Sequence, residues 1–209
     1  MKKFIIITMA ALLTLSLAAC ANNKKPDEAD DATKAPITNT EAPTEEPEQE
    51  QTSDQSALEI MDKIWASYSD EDKFPIFGGD TSEENLNPEG PGKYSLDDPA
   101  VMENALTFPA ASIGKIDEAA TLVHLMNSNT FTGAAYHLVN GGDADALASE
   151  LENLITTRVW LCGAPQKLVI ARVDNCLVVA YGTDDLVNGF VSHLTAEFDS
   201  AEIVCENDL

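Results

Sequence analysis

Cysteines, histidines and carboxylates decide what chemistry this chain of 209 residues could host. Cysteine stands at 20, 162, 176 and 205, and histidine at 124, 137 and 193. Cys162 alone sits in a loop-like Gly-Ala-Pro context, beside Trp160. Trp160 and Cys162 are therefore the candidate surface site. A thiol nucleophile needs a neighbour that holds its thiolate, and no histidine is local to Cys162. The reading is that no residue is catalytic and that Cys162 is a small hydrophobe under a loop. A thiol-dependent enzyme using Cys162 is the alternative. The histidines lack His-x-His or His-Glu-x-x-His spacing, so no metal is expected. Asp70-Glu71-Asp72 and Asp143-Ala144-Asp145 lack the alternating ligands and terminal glutamate of a calcium loop. The first reads as a charge cluster ending a helix, the second as a cap with acids in a first helical turn. Neither a Gly-x-Ser-x-Gly elbow, a phosphate loop nor a dinucleotide fingerprint occurs, and no cofactor is expected. The formal charge of −24 has the wrong sign for a nucleic-acid partner.

The fourth cysteine belongs to a different pattern. Lys2 and Lys3 precede a short apolar run, and Leu17-Ala18-Ala19-Cys20 closes it. The run has the length of a secretory signal core and is short for a membrane span. The closing residues resemble the lipobox of bacterial lipoproteins. That resemblance implies cleavage of residues 1–19, acyl chains on Cys20, and attachment to the outer face of the plasma membrane in a one-membrane host. Multiple acyl chains, at about 0.8 kcal/mol per buried CH₂, anchor durably. The expected partners are the membrane, through the lipid on Cys20, and a protein of the cell envelope.

Residues 20–56 follow as a tether. The stretch carries Pro26, Pro36, Pro43 and Pro47, many Thr, Glu and Gln, and no aromatic residue. Such a composition cannot bury enough surface to offset chain entropy, which predicts a disordered acidic spacer. As a flexible coil it spans roughly 30–35 Å.

The remaining residues, 57–209, must position any site. Leu58, Met61, Ile64, Trp65 and Tyr68 predict an amphipathic helix over 57–68. Residues 70–96, rich in Gly, Pro and acids, read as a long loop. Asp98-Pro99 caps a short helix to about residue 106. Residues 117–127 read as another helix. Strands are expected at 131–139, 167–173, 176–181 and 201–205. Helices capped by Asp143, and by Thr183 or Asp184, follow the first and third of these. Asn140-Gly141-Gly142 and Asp174-Asn175 supply turns. The fold class is therefore α+β. Residues 130–209 form a ferredoxin-like, split β-α-β-β-α-β four-stranded antiparallel sheet in the order 4-1-3-2, and 57–129 is an additional helical and loop-rich segment. Two strands, 167–173 and 176–181, are apolar on both faces, so the 57–129 segment, or else a second subunit, must cover the far face. In that order Cys162 and Cys205 lie on opposite edges, about 14 Å apart at roughly 4.8 Å per strand step. No disulfide is expected among Cys162, Cys176 and Cys205.

Three stretches carry a further resemblance: residues 117–126 (Asp-Glu-Ala-Ala-Thr-Leu-Val-His-Leu-Met), 130–134 (Thr-Phe-Thr-Gly-Ala) and 160–165 (Trp-Leu-Cys-Gly-Ala-Pro). They resemble an uncharacterised family of lipid-anchored proteins from anaerobic Gram-positive gut bacteria, sometimes labelled bacteriocin transport accessory proteins. The resemblance implies an anchored extracytoplasmic accessory role and brings no catalytic residue with it. The Cys-x-x-Cys pair of redox accessory proteins is missing. The functional expectation is a lipid-anchored, extracytoplasmic, non-catalytic accessory or binding module.

Overall fold

A computed structural model describes residues 55–139 and 143–209. The signal segment 1–19, Cys20, nearly all of the tether and the 140–142 turn lie outside the described residues. Ser56 starts α1 (Ala57–Ser67) with a reciprocal cap: its hydroxyl accepts from the Glu59 N–H, and the Glu59 carboxylate accepts from the Ser56 N–H. Ile60, Met61, Ile64 and Trp65 are buried at the helical spacing expected of them.

The chain then meets one sheet edge twice. β1 (Ile76–Gly78) and β2 (Gly92–Lys93) pair end to end along the same side of β3 (Ile116–His124). Between them residues 79–91 loop out and return. The neck closes because it carries glycine. A Cβ on Gly78 would lie 2.2 Å from the Gly90 oxygen, and one on Gly79, whose φ is +78°, would lie 1.9 Å from the Asn85 oxygen. The Thr121 hydroxyl accepts from the Gly79 N–H and donates to the Gly79 carbonyl, and Trp65 Nε1 donates to Glu89 from below. The expected 70–96 loop is thus two strand fragments and a hydrogen-bonded excursion.

After β2 come α2 (Pro99–Leu106), capped by Asp98 as expected, a 3-10 helix (Ala110–Lys115) and β3. Here the structure corrects the sequence reading, because the helix expected at 117–127 is a strand. β3 is buried on both faces, which removes the alternation that marks a strand. The rest runs β4 (Phe131–Leu138), α3 (Ala144–Thr157), β5 (Lys167–Val173), β6 (Cys176–Gly182), α4 (Asp184–Glu197) and β7 (Glu202–Asp208). Asp143 and Thr183 occupy the N-cap positions of α3 and α4, but neither side chain makes a capping hydrogen bond.

The fold is α+β with a seven-stranded open antiparallel sheet, ordered β1-β3-β4-β6-β5-β7 with β2 beside β3. The β-α-β-β-α-β succession is present, yet its strand order is not 4-1-3-2. β3 takes the outer edge of β4, so β7 pairs with β5 instead. This changes the layering. The β4-to-β5 and β6-to-β7 connections start from oppositely directed strands but step the same way across the sheet. Right-handed crossovers then place α3 and α4 on opposite faces, whereas the ferredoxin-like order places both on one. One core accordingly packs α1 and α4 on Val169, Ala171, Val178 and Ala180. The other packs α2 and α3 on Leu168, Ile170, Leu177 and Val179. The second face is covered within the chain, by helices from both halves. Each fully buried Leu, Ile or Val contributes about 1.5–3 kcal/mol. Among the described residues no helix is long and apolar enough to cross a membrane.

Candidate functional site

Strand register fixes which loops meet. Phe131 and Lys167 both stand opposite Gly182, and Asp208 stands opposite Lys167. The β3–β4 turn and the α3–β5 loop therefore leave the sheet at one end. Ser56 and α1 enter at the other end, where Glu118 accepts from the Ala57 N–H and the Cys176 thiol donates to the Gln55 carbonyl.

Amide side chains join the two loops. Asn129 Nδ2 donates to the carbonyls of Leu161 and Gly163, both at 2.7 Å, and Asn127 Nδ2 donates to that of Cys162. The chain reverses at Cys162 and Gly163, whose φ values are +64° and +102°. With the polar groups spent on carbonyls, the apolar side chains face outward. Leu125 is 57 % exposed, Met126 80 %, Val159 84 % and Leu161 76 %. No charged residue occurs in 125–131 or 159–166, although the chain carries 36 acids. Scattered exposed hydrophobes need no explanation, but here two uncharged loops joined by hydrogen bonds carry four of them on an acidic protein.

Trp160 roots this surface. It is half-buried, with its ring 5.3 Å from that of Tyr181 and the Arg158 guanidinium 5.0 Å above it. Arg158 in turn donates to the Thr107 hydroxyl (2.5 Å) and to the carbonyls of Glu103 and Asn104, which end α2. A cation here meets carbonyls of the last turn and the negative end of the helix dipole.

Of the two residues singled out from the sequence, Trp160 is an anchor and Cys162 is exposed, which corrects its expected place under a loop. No disulfide links Cys162, Cys176 and Cys205. The edge-to-edge argument for this does not hold, because β5 and β7 are neighbours and Cys205 sits within β7 opposite Ile170. Burial, and then Glu152, push the Cys205 thiol up to about 11. The histidines are dispersed. His124 accepts from the Met126 N–H, His137 pairs with Asp117 at 2.5 Å, and His193 meets Ser67. Among the described residues no hydrogen bond joins Cys162 to a histidine, and no group of three or more His, Cys, Asp or Glu is placed to hold a metal.

Sequence reasoning missed Leu125, Met126, Val159 and Leu161. Leu125 and Met126 fall inside the helix expected over 117–127. The available signal was local: the Asn-Ser-Asn run at 127–129 and the Gly-Ala-Pro run at 163–165 are turn-formers bordering large apolar residues. Comparison of the chain with family models, curated proteins and solved structures returns no match.

Proposed function

We propose that this protein is a lipid-anchored extracytoplasmic accessory module, held to the membrane through Cys20, whose domain binds a protein partner through the apolar end formed by residues 125–126 and 159–162. The observation that carries the binding role is the pair of uncharged, mutually hydrogen-bonded loops with outward apolar side chains. The lipobox-like Leu17-Ala18-Ala19-Cys20 supports the anchoring. Residues 55–57 meet the sheet at the end opposite the apolar loops, roughly 25 Å away at about 3.3 Å per strand residue.

Two experiments test this. In the host, Cys20→Ala should release the protein from the membrane fraction, and a variant that stays fully membrane-bound contradicts the anchoring. For the binding role, a photocrosslinker is attached at Cys162 in cells. It should give one discrete envelope-protein adduct that disappears in Met126→Glu/Leu161→Glu. Both positions are exposed, so each substitution should change stability by no more than about 0.5 kcal/mol. An adduct that persists in the double variant argues against the surface. The thiol-enzyme alternative gains if Cys162→Ser abolishes the cellular phenotype while Met126→Glu/Leu161→Glu leaves it intact.

A further inference from the structure

The uncharged loops at 125–131 and 159–166 are bordered by charge of one sign. On one flank the Thr183 N–H donates to the Thr130 carbonyl at 2.9 Å, and the Asp184 N–H donates to Gln166 Oε1. α4 therefore begins beside the loops, and its first two residues are the exposed Asp184 and Asp185. Asp208 stands opposite Lys167 in the neighbouring strand pair. Lys167 is the base of this flank. Its bond to Glu206, and then the charges of Asp208 and Asp184, raise its pKa, so one ammonium is shared among several carboxylates. On the other flank the Leu125 N–H donates to the Pro75 carbonyl at 3.0 Å, which ties the loops to the segment before β1. Asp70, Glu71 and Asp72 of that segment are exposed, and its lysine, Lys73, is paired with Asp70 and lies over the Trp65 ring. Arg158, at the root of the loops, is spent on Thr107 and the end of α2.

An uncharged centre between acidic flanks selects its occupant. Apolar side chains can enter the centre without leaving a charge buried and unpaired, while charges at the flanks stay in water. A second copy would bring the same acids against these ones, and like charges across an interface oppose association. A bilayer surface rich in anionic lipid carries the same sign again. A protein segment with bases on either side of an apolar middle meets opposite charge on both flanks.

We infer that the apolar end takes a protein segment whose apolar side chains are flanked by lysine or arginine, with the acids at 184–185 and 70–72 as counter-charges. This rests on the proposed binding role of the loops and adds the chemistry of the partner. Full-chain Cys20→Ala protein, which carries no acyl group, is titrated with fluorescent peptides: an amphipathic leucine–lysine peptide, its leucine–glutamate twin, and a glycine–lysine peptide of equal charge. The leucine–lysine peptide should bind about tenfold more tightly than either of the others. Met126→Glu/Leu161→Glu makes the protein more acidic, so attraction by charge alone would strengthen. Binding should instead weaken about tenfold, through faster dissociation. Asp184→Asn/Asp185→Asn, and independently Asp70→Asn/Asp72→Asn, should slow association about threefold and flatten its salt dependence. Glu83→Gln/Glu84→Gln removes the same charge elsewhere, since Glu84 stands with Asp117 toward the other end of β3, and should slow association less. Equal effects of the distal and flanking pairs, undiminished binding in Met126→Glu/Leu161→Glu, or equal binding of the leucine–glutamate peptide would overturn the inference. So would self-association in sedimentation, or binding to phosphatidylglycerol vesicles, that Met126→Glu/Leu161→Glu abolishes. A Cys162 adduct in cells that Met126→Glu/Leu161→Glu removes, with no preference for the leucine–lysine peptide, would leave the binding role standing and remove only its basic partner.

Discussion

The Asp80 carboxylate fastens the 79–95 loop at three points. It accepts from the N–H groups of Ser82 and Ser95 and from the side-chain amide of Asn85. Burial works against its charge, but the hydrogen bonds from Ser82, Asn85 and Ser95 outweigh it and hold the pKa at about 2. In the unfolded chain the group returns to about 3.9. The folded value is the lower one, so the stabilisation is complete above about pH 4 and is lost as the pH falls toward 2. Asp80→Ala should cost about 1–3 kcal/mol at pH 7 by urea unfolding, because three donors lose a charged acceptor. The gap between the two proteins should narrow markedly at pH 2.5, and a pH-independent gap would mean the carboxylate is not the fastener. Cysteine behaviour separates just as sharply. In the native protein iodoacetamide should modify Cys162 quickly, with Cys176 shielded by burial and Cys205 slowed by its raised pKa. Three equally fast thiols would contradict the packing of β6 and β7. At this scale the sequence was a partial guide. It marked Cys162 and Trp160 as a pair, but exposure is a tertiary property, and nothing local distinguishes a thiol on a reversing loop from one beneath it.

At the scale of elements, the ones read correctly carry their own signals. The helical spacing of Met61, Ile64 and Trp65 in α1, the Asp98-Pro99 start of α2 and the Asp174-Asn175 turn between β5 and β6 depend on neighbours in the chain. The misread element, β3, has no such signal. Its residues Ala119, Ala120, Leu122 and Val123 fit helical spacing as well as they fit a strand buried on both faces. Only the neighbours β1, β2 and β4 decide between the two, and β1 and β2 were hidden among glycines and prolines. The clearest long-range device between elements is Arg158. It joins the C-terminal end of α2 to the Trp160 root of the apolar surface, across more than fifty residues of sequence. Thr107, at the α2 C-cap, holds a left-handed backbone (φ +56°) while its hydroxyl accepts from this guanidinium. Arg158→Met keeps much of the side-chain bulk and removes the donors. It should cost about 1–3 kcal/mol and raise hydrogen exchange in α2 and at Trp160 while leaving α1 and α4 protected. Uniform loss of protection would mean that Arg158 supports the whole fold and not this junction.

For the whole molecule, the deciding fact is that both crossovers step the same way across the sheet. That places a helix on each face and covers strands whose residues are apolar on both sides, so no second subunit is needed for the core. The two-sided apolar character of β5 and β6 was legible in the sequence. The strand order was not, because it depends on β3 having claimed the edge of β4. The surface of this three-layer domain then carries the charge. Lys73, Lys93, Lys115, Lys167 and Arg172 each meet a carboxylate, Arg158 is committed to α2 and Lys63 to Gln55. The basic residues of the domain are thus already used, and among the described residues its surplus of acids has no further basic partner. Exposed ion pairs contribute little each, typically about 0–1 kcal/mol, whereas repulsion among the surplus acids acts over the Debye length, about 30 Å at 0.01 M salt and about 8 Å at 0.15 M. Repulsion should therefore dominate the salt response. Raising sodium chloride from 10 to 150 mM should raise the melting temperature by several degrees in a calorimetric scan. Glu83→Lys/Glu84→Lys, in the exposed excursion, should reproduce part of that gain at low salt and reduce the further effect of adding it. A melting temperature that falls with salt would show that the few ion pairs, and not the acidic excess, govern the electrostatics of the fold.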